Sequence, residues 1–98
     1  MKKVFISQPM KGRKEIDIIN ERDAVLAELE KEFNEPVEEV QSYSPANRYR
    51  HPLDSLGKSI QRMAEADIAY FCDGWEDARG CKIEHECAKQ YGIEVIEK

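Results

Sequence analysis

Cysteine is scarce in this chain of 98 residues: there are three, Cys72, Cys81 and Cys87. Three thiols cannot close a complete disulfide framework, so a reducing, cytoplasmic setting is the expectation. Long apolar runs are missing too. None approaches the roughly 20 residues that a membrane span requires, and the opening MKKVFISQPM turns polar too soon for a signal peptide. No membrane partner is expected. Positive charge is in deficit, with 15 Lys and Arg against 20 Asp and Glu, a net charge of −5. A nucleic-acid polymer asks for a basic face, so none is expected as a partner. A small phosphorylated ligand, held by one local basic group, stays open. Glycine is sparse, at five residues, and neither a Walker loop nor the three-glycine dinucleotide fingerprint occurs. There is no internal repeat, low-complexity tract or linker. The length suits a single domain, residues 1–98, with one modest core.

What is present alternates between strand and helix patterns. KVFIS (3–7) is a short apolar run closed by QPMKG, which reads as a buried strand and a Pro/Gly turn. From Arg13 to Phe33, Ile16, Ile19, Val25, Leu26, Leu29 and Phe33 recur at helical spacing among charges, the mark of an amphipathic helix. VEEVQS (37–42) is a weaker strand whose paired glutamates suit a sheet edge. YSPANRYRHPLD (43–54) carries two prolines and no periodicity, a loop long enough to be functional or disordered. Leu56, Ile60 and Met63 mark a second helix running to Ala66, and DIAYFC (67–72) a second buried strand. A third helix spans 79–91 with Ile83, Cys87 and Tyr91 on its apolar face, and IEVIE (93–97) is a last strand. This order predicts an α/β fold, a three-layer sandwich around a parallel sheet of about four strands. In such sheets ligands bind beyond the carboxyl ends of the strands, where strand order reverses. If the first and third strands are neighbours, the loops SQPMKG and CDGWEDARG share one crevice.

The contents of that crevice can be read two ways. Ser7, Gln8, Pro9, Met10, Lys11 and Gly12 form a hydroxyl-, amide- and lysine-bearing turn before a helix, suited to an anion, or an ordinary turn. In the third helix Gly80 permits close approach of a ligand, and Cys81, Glu84 and Ala88 share one side. Because Cys81 and Ala88 are small, Glu84 could face a cavity as nucleophile or general base; its bland use is as a partner of the helix dipole. Cys81 and His85 are four apart, but no compact Cys/His pair of the zinc type occurs, so neither metal nor cofactor is expected. A Cys81 thiolate lacks an evident base and orienting group. Tyr43, Arg48, Tyr49, Arg50 and His51 could stack on a base and pair with phosphate, or simply be solvated. Trp75 could wall the pocket, but packing on the sheet is its simpler use.

The segments KVFISQPMKG, AEADIAYFCDGW and ARGCKIEHECAKQYGIEVIE, with Gly80, Glu84 and Ala88 in a G-x-x-x-E-x-x-x-A arrangement behind a strand opening at Asp67, resemble the nucleoside 2-deoxyribosyltransferase-like superfamily, specifically its DUF4406 branch. The resemblance covers nearly the whole chain, least securely at 43–54. It implies a flavodoxin- or Rossmann-like fold and Glu84 as nucleophile toward the anomeric carbon of a 2′-deoxynucleoside or its 5′-monophosphate. It also implies that Ser7 to Gly12 line the sugar and phosphate, and that a homo-oligomer completes the pocket. Two positions depart from the active pattern. Ser59 stands where an aspartate usually lies, eight residues before Asp67, and Ala78 stands six before Glu84, with Asp77 one step off. Relatives also carry a fifth strand and a final helix that this reading does not find. Two functions from different classes therefore remain: an N-glycosidic transferase or hydrolase, with Ser59, Asp77, Gly80 and Arg48 also at the substrate, or an inactive nucleotide-binding module of the same fold. A structural domain with a vestigial crevice is the blandest outcome.

Overall fold

A computed structural model describes residues 1–42 and 51–98. Four strands, β1 (Lys2–Ser7), β2 (Val37–Val40), β3 (Ile68–Phe71) and β4 (Glu94–Glu97), alternate with three helices, α1 (Glu15–Phe33), α2 (Pro52–Met63) and α3 (Arg79–Gln90). All strand pairs are parallel, in the order β2-β1-β3-β4. The two central strands are the two apolar runs of the sequence, as expected where both faces of a parallel sheet are covered. The edge strands carry Glu38, Glu39, Glu94 and Glu97, charges that discourage further pairing.

Side chains alternate across the sheet. Val4, Ile6, Tyr70 and Cys72 meet Val25 and Leu29 of α1 on one face. Phe5, Ala69 and Phe71 meet Met63 and Ala88, at the end of α2 and in α3, on the other. The result is the three-layer α/β sandwich read from the sequence.

Two helix faces differ from expectation. On α1 the buried stripe is Ile18, Arg22, Val25 and Leu29, while Ile16 is 58% exposed and Ile19 also faces outward. Spacings of four, three and four make the truer stripe, but an arginine inside it conceals the pattern. On α3 the buried face is Cys81, Glu84 and Ala88; Ile83 and Tyr91 are exposed and Cys87 lies at the border. Small side chains let this helix sit close to the sheet, and that decides the face over the bulkier residues. The segment predicted as loop to 54 also ends sooner. Pro52 takes the first helical position, where its fixed φ is an advantage, and His51 caps α2 by accepting at Nδ1 from the Leu53 N–H at 3.0 Å. Tyr43, Arg48, Tyr49 and Arg50 lie outside the described residues.

Candidate functional site

β1 and β3 are direct neighbours, with Ser7 opposite Phe71 and the Cys72 N–H donating to the Ser7 carbonyl at 2.9 Å. From here the chain leaves β1 toward α1 on one face and β3 toward α3 on the other. This is the reversal point at which α/β sheets bind ligands. The two loops touch: Gly74 adopts φ +86°, and a Cβ there would lie 3.5 Å from the Pro9 ring.

By strand alternation Ser7 projects toward α2 and α3. Its hydroxyl donates to Glu84 Oε1 at 2.6 Å. Ser59, from α2, donates to Glu84 Oε2, also at 2.6 Å. Glu84 is only 8% exposed. The carboxylate therefore points inward, with each oxygen fixed by a hydroxyl from a different element. Burial raises its pKa above the ordinary glutamate value, while the Ser59 and Ser7 hydrogen bonds and the Arg22 charge pull it down without reversing the direction.

The buried Cys81 lies beside this pair. Burial pushes its thiol up to about 11, against a lowering hydrogen bond with Ser7. Such a thiol is not an activated nucleophile at neutral pH. Cys72 is pushed up to about 12, again by burial. His85 does not join Cys81. Its ring stacks on Trp75 at 4.1 Å, meets Phe71 edge-on, and lies 2.6 Å from Glu97 through Nε2. Trp75 packs in that cluster as well, against Phe71. Among the described residues no three His, Cys, Asp or Glu side chains are grouped to hold a metal.

The other expected site residues divide. Gln8 is buried, but its amide turns to the α1 face, donating to the Ile18 carbonyl at 3.2 Å and to Glu21 at 2.8 Å. Pro9, Met10, Lys11 and Gly12 form an accessible rim, pinned where Arg13 donates to the Pro9 carbonyl and to Glu21. Gly12 there takes φ +76°, a left-handed conformation that glycine adopts freely. Asp77 is exposed in the short 3-10 turn Trp75–Asp77, and Gly80 backs onto Leu56 of α2. Arg48 lies outside the described residues.

Sequence reasoning missed Arg22. It is buried under β1 and hydrogen-bonds the Gln8 side chain, Glu39 Oε2 at 2.6 Å, Ser42 Oγ at 3.3 Å and the Ile6 carbonyl at 3.3 Å. The available signal was an arginine at a position where Ile18, Val25 and Leu29 set the helical period.

The family profile DUF4406, described as a domain of unknown function, matches residues 2–97. The chain belongs to the DUF4406 family. A comparison with curated proteins finds no match. In this DUF4406 domain the matched span takes in the whole Ser7–Glu84–Ser59 arrangement and the Arg22 network beneath it.

Proposed function

We propose that this DUF4406 domain breaks or transfers the N-glycosidic bond of a 2′-deoxynucleoside or 2′-deoxynucleoside 5′-monophosphate, with Glu84 as nucleophile. One observation carries the reading: a buried carboxylate at the β1–β3 reversal point, gripped on both oxygens by serine hydroxyls. The likeness of its G-x-x-x-E-x-x-x-A segment to nucleoside 2-deoxyribosyltransferases is the second support.

One Glu84 oxygen attacks the anomeric carbon as the bond to the base breaks. The base departs with the bonding pair and takes a proton from solvent, leaving a deoxyribosyl ester on Glu84. Water, or a second base, then displaces the ester and regenerates the carboxylate. A carboxylate suits this work because the transition state is oxocarbenium-like and a nearby anion stabilises it. The serine on the non-attacking oxygen keeps its hydrogen bond throughout, since that oxygen becomes the ester carbonyl. A hydrogen bond to a charged group contributes about 1.5–3 kcal/mol, enough to hold one rotamer. Ser7, the Pro9–Gly12 rim, Asp77 and Gly80 would meet the sugar and any phosphate, and a second copy of the chain would complete the pocket.

The test is incubation with a panel of 2′-deoxynucleosides and their 5′-monophosphates, with chromatography for free base. Glu84→Ala is expected to abolish release, and wild-type enzyme quenched during turnover should carry a deoxyribosyl adduct on Glu84. Absence of base release from every member of the panel would overturn the reading.

Nucleotide binding without turnover is the second reading. It is favoured by Ser59 occupying an aspartate's place and by the absence of a side-chain cap on α3 at Ala78. Under it, a nucleotide raises the melting temperature, as any ligand selective for the native state does, and no base appears.

A further inference from the structure

α1 packs against the sheet through an apolar stripe, yet one position in that stripe is Arg22, 5% exposed. A buried ion pair stabilises a fold little better than well-packed apolar side chains of the same volume. What a guanidinium offers instead is direction, because its donors form a rigid planar fork.

The fork closes on the residues flanking Ser7. Nη2 donates to the Ile6 carbonyl at 3.3 Å and Nε donates to the Gln8 side-chain oxygen. The Gln8 amide nitrogen is tied in turn to Ile18 and Glu21 of α1. Nη1 braces the fork against Glu39 of β2 at 2.6 Å and Ser42 at 3.3 Å, and Ser42 also donates to the Ile6 carbonyl at 3.3 Å. With the residues before and after it held from one face, Ser7 must project to the other. That is the face where Glu84 receives its hydroxyl.

We propose that Arg22 is a positioning residue: from beneath the sheet it fixes the carboxyl tip of β1 and so aims the Ser7 hydroxyl at Glu84. Its consequence for catalysis rests on the reading of Glu84 as nucleophile. The charge of Arg22 also favours the ionised carboxylate. Among the described residues, the polar and titratable groups that act on Glu84 are Ser7 of β1, Ser59 of α2, Cys81 of α3 and, across the sheet, Arg22 of α1.

The experiment is a carbon-13 NMR titration of the Glu84 side-chain carboxyl in the full chain, for wild type, Arg22→Lys, Ser7→Ala and the double variant. Lysine keeps the charge, but one ammonium cannot hold the Ile6 carbonyl and the Gln8 amide in the same geometry. Arg22→Lys is expected to move the Glu84 titration to higher pH, because a hydrogen bond to the ionised form is weakened. Ser7→Ala should do the same, and the double variant should go no further than Ser7→Ala alone. Arg22→Lys superimposing on wild type, or shifts that add in the double variant, would overturn the proposal. Should Arg22→Lys not fold, Gln8→Met removes the acceptor at Nε and enters the same cycle with the same outcomes. No substrate is involved, so failure of the glycosidic reading appears only in the base-release assay, and failure of the positioning role only in this cycle.

Discussion

Replacing Glu84 by glutamine changes one property of the site and keeps its shape. The amide oxygen can still accept from one serine, and the amide nitrogen can donate to the hydroxyl oxygen of the other. What disappears is the titrating charge. The two serine hydroxyls together return about 3–6 kcal/mol to the ionised form, against an effective cost of several kcal/mol for taking a carboxylate out of water. Burial wins, and the folded pKa lies above the ordinary value. The native state therefore binds a proton more tightly than the unfolded chain, whose glutamate titrates near about 4.3. Below that pH the Glu84 side chain is protonated in both states and its contribution to stability is fully present. As pH rises toward the folded pKa that contribution is lost, at up to about 1.4 kcal/mol per pH unit, and above the folded pKa the loss is complete. Urea denaturation of wild type and Glu84→Gln in steps from about pH 4 to 8 reads this directly, because other titrating groups cancel in the difference. With a urea slope of about 1–3 kcal/mol/M, the gap between midpoints opens by about 0.5 M or more per pH unit in the window. The variant gains on wild type as pH rises, and the levelling point is the folded pKa of Glu84. A flat difference, or one in which wild type gains with pH, would refute the claim that burial outweighs the hydroxyls.

Ser59→Ala removes the donor to Oε2 and leaves a buried carboxylate oxygen without its hydroxyl, which should cost about 1–3 kcal/mol near neutral pH and less in acid; calorimetry should show a fall of about 4–8 °C per kcal/mol for a domain of this size. Arg22→Met strands Glu39 and Gln8 together and should cost about 3–5 kcal/mol, nearly independent of salt; a loss under 1 kcal/mol would mean the network is slack. Lys98 and Tyr70 hold the Glu28 carboxyl below its ordinary pKa, so this small contribution is present above the ordinary range and lost as pH falls. Because Lys98 and Glu28 are half-exposed, Lys98→Met should change stability by less than about 1 kcal/mol, vanishing in high salt. Alkylation of the native protein at pH 8, followed by peptide mass spectrometry, should label Cys87 first, since Cys72 and Cys81 are buried with thiols pushed to about 12 and 11; early labelling of Cys81 would mean an open, activated thiol.

The fold was legible because its two central strands are continuous apolar runs and its edge strands carry glutamates. Those patterns follow directly from which faces are covered. Glu84 was legible for a different reason: its helical neighbours at three before and four after, Cys81 and Ala88, are small. The same observation misled about α3 as a whole. Ile83 and Tyr91 are the bulky apolar residues, yet they face outward, because close packing on a sheet prefers small side chains to large ones. On α1 the reading failed at Arg22. Hydropathy counts an arginine against a buried stripe, whereas burial here is licensed by partners that include the Ile6 carbonyl of β1, Gln8 just beyond it, Glu39 of β2 and Ser42, none of them near in sequence. Ser59 shows the remaining limit. Its departure from the expected aspartate was visible in the sequence, but its hydroxyl's contact with the carboxylate depends on how closely α2 approaches α3. That distance is a matter of tertiary packing, which brings Leu56 of α2 alongside Gly80 of α3.

That contact also bears on why the carboxylate is there at all. A group needed only to tie α3 to β1 and α2 would serve best uncharged, since an amide makes the same two hydrogen bonds without the desolvation cost. A nucleophile needs the opposite: a negative charge, held in one rotamer, in an environment that leaves it more basic than in water and so more willing to attack. Two hydroxyl donors and a distant arginine are a moderate counterweight to burial. A direct salt bridge would neutralise the carboxylate's reactivity, and a fully apolar pocket would keep it protonated. The arrangement around Glu84 lies between those extremes: burial, two serines, and Arg22 acting only from across the sheet. Structural economy gives no reason for that balance; on the proposed reading of Glu84 as nucleophile, attack on an electron-poor sugar carbon supplies one.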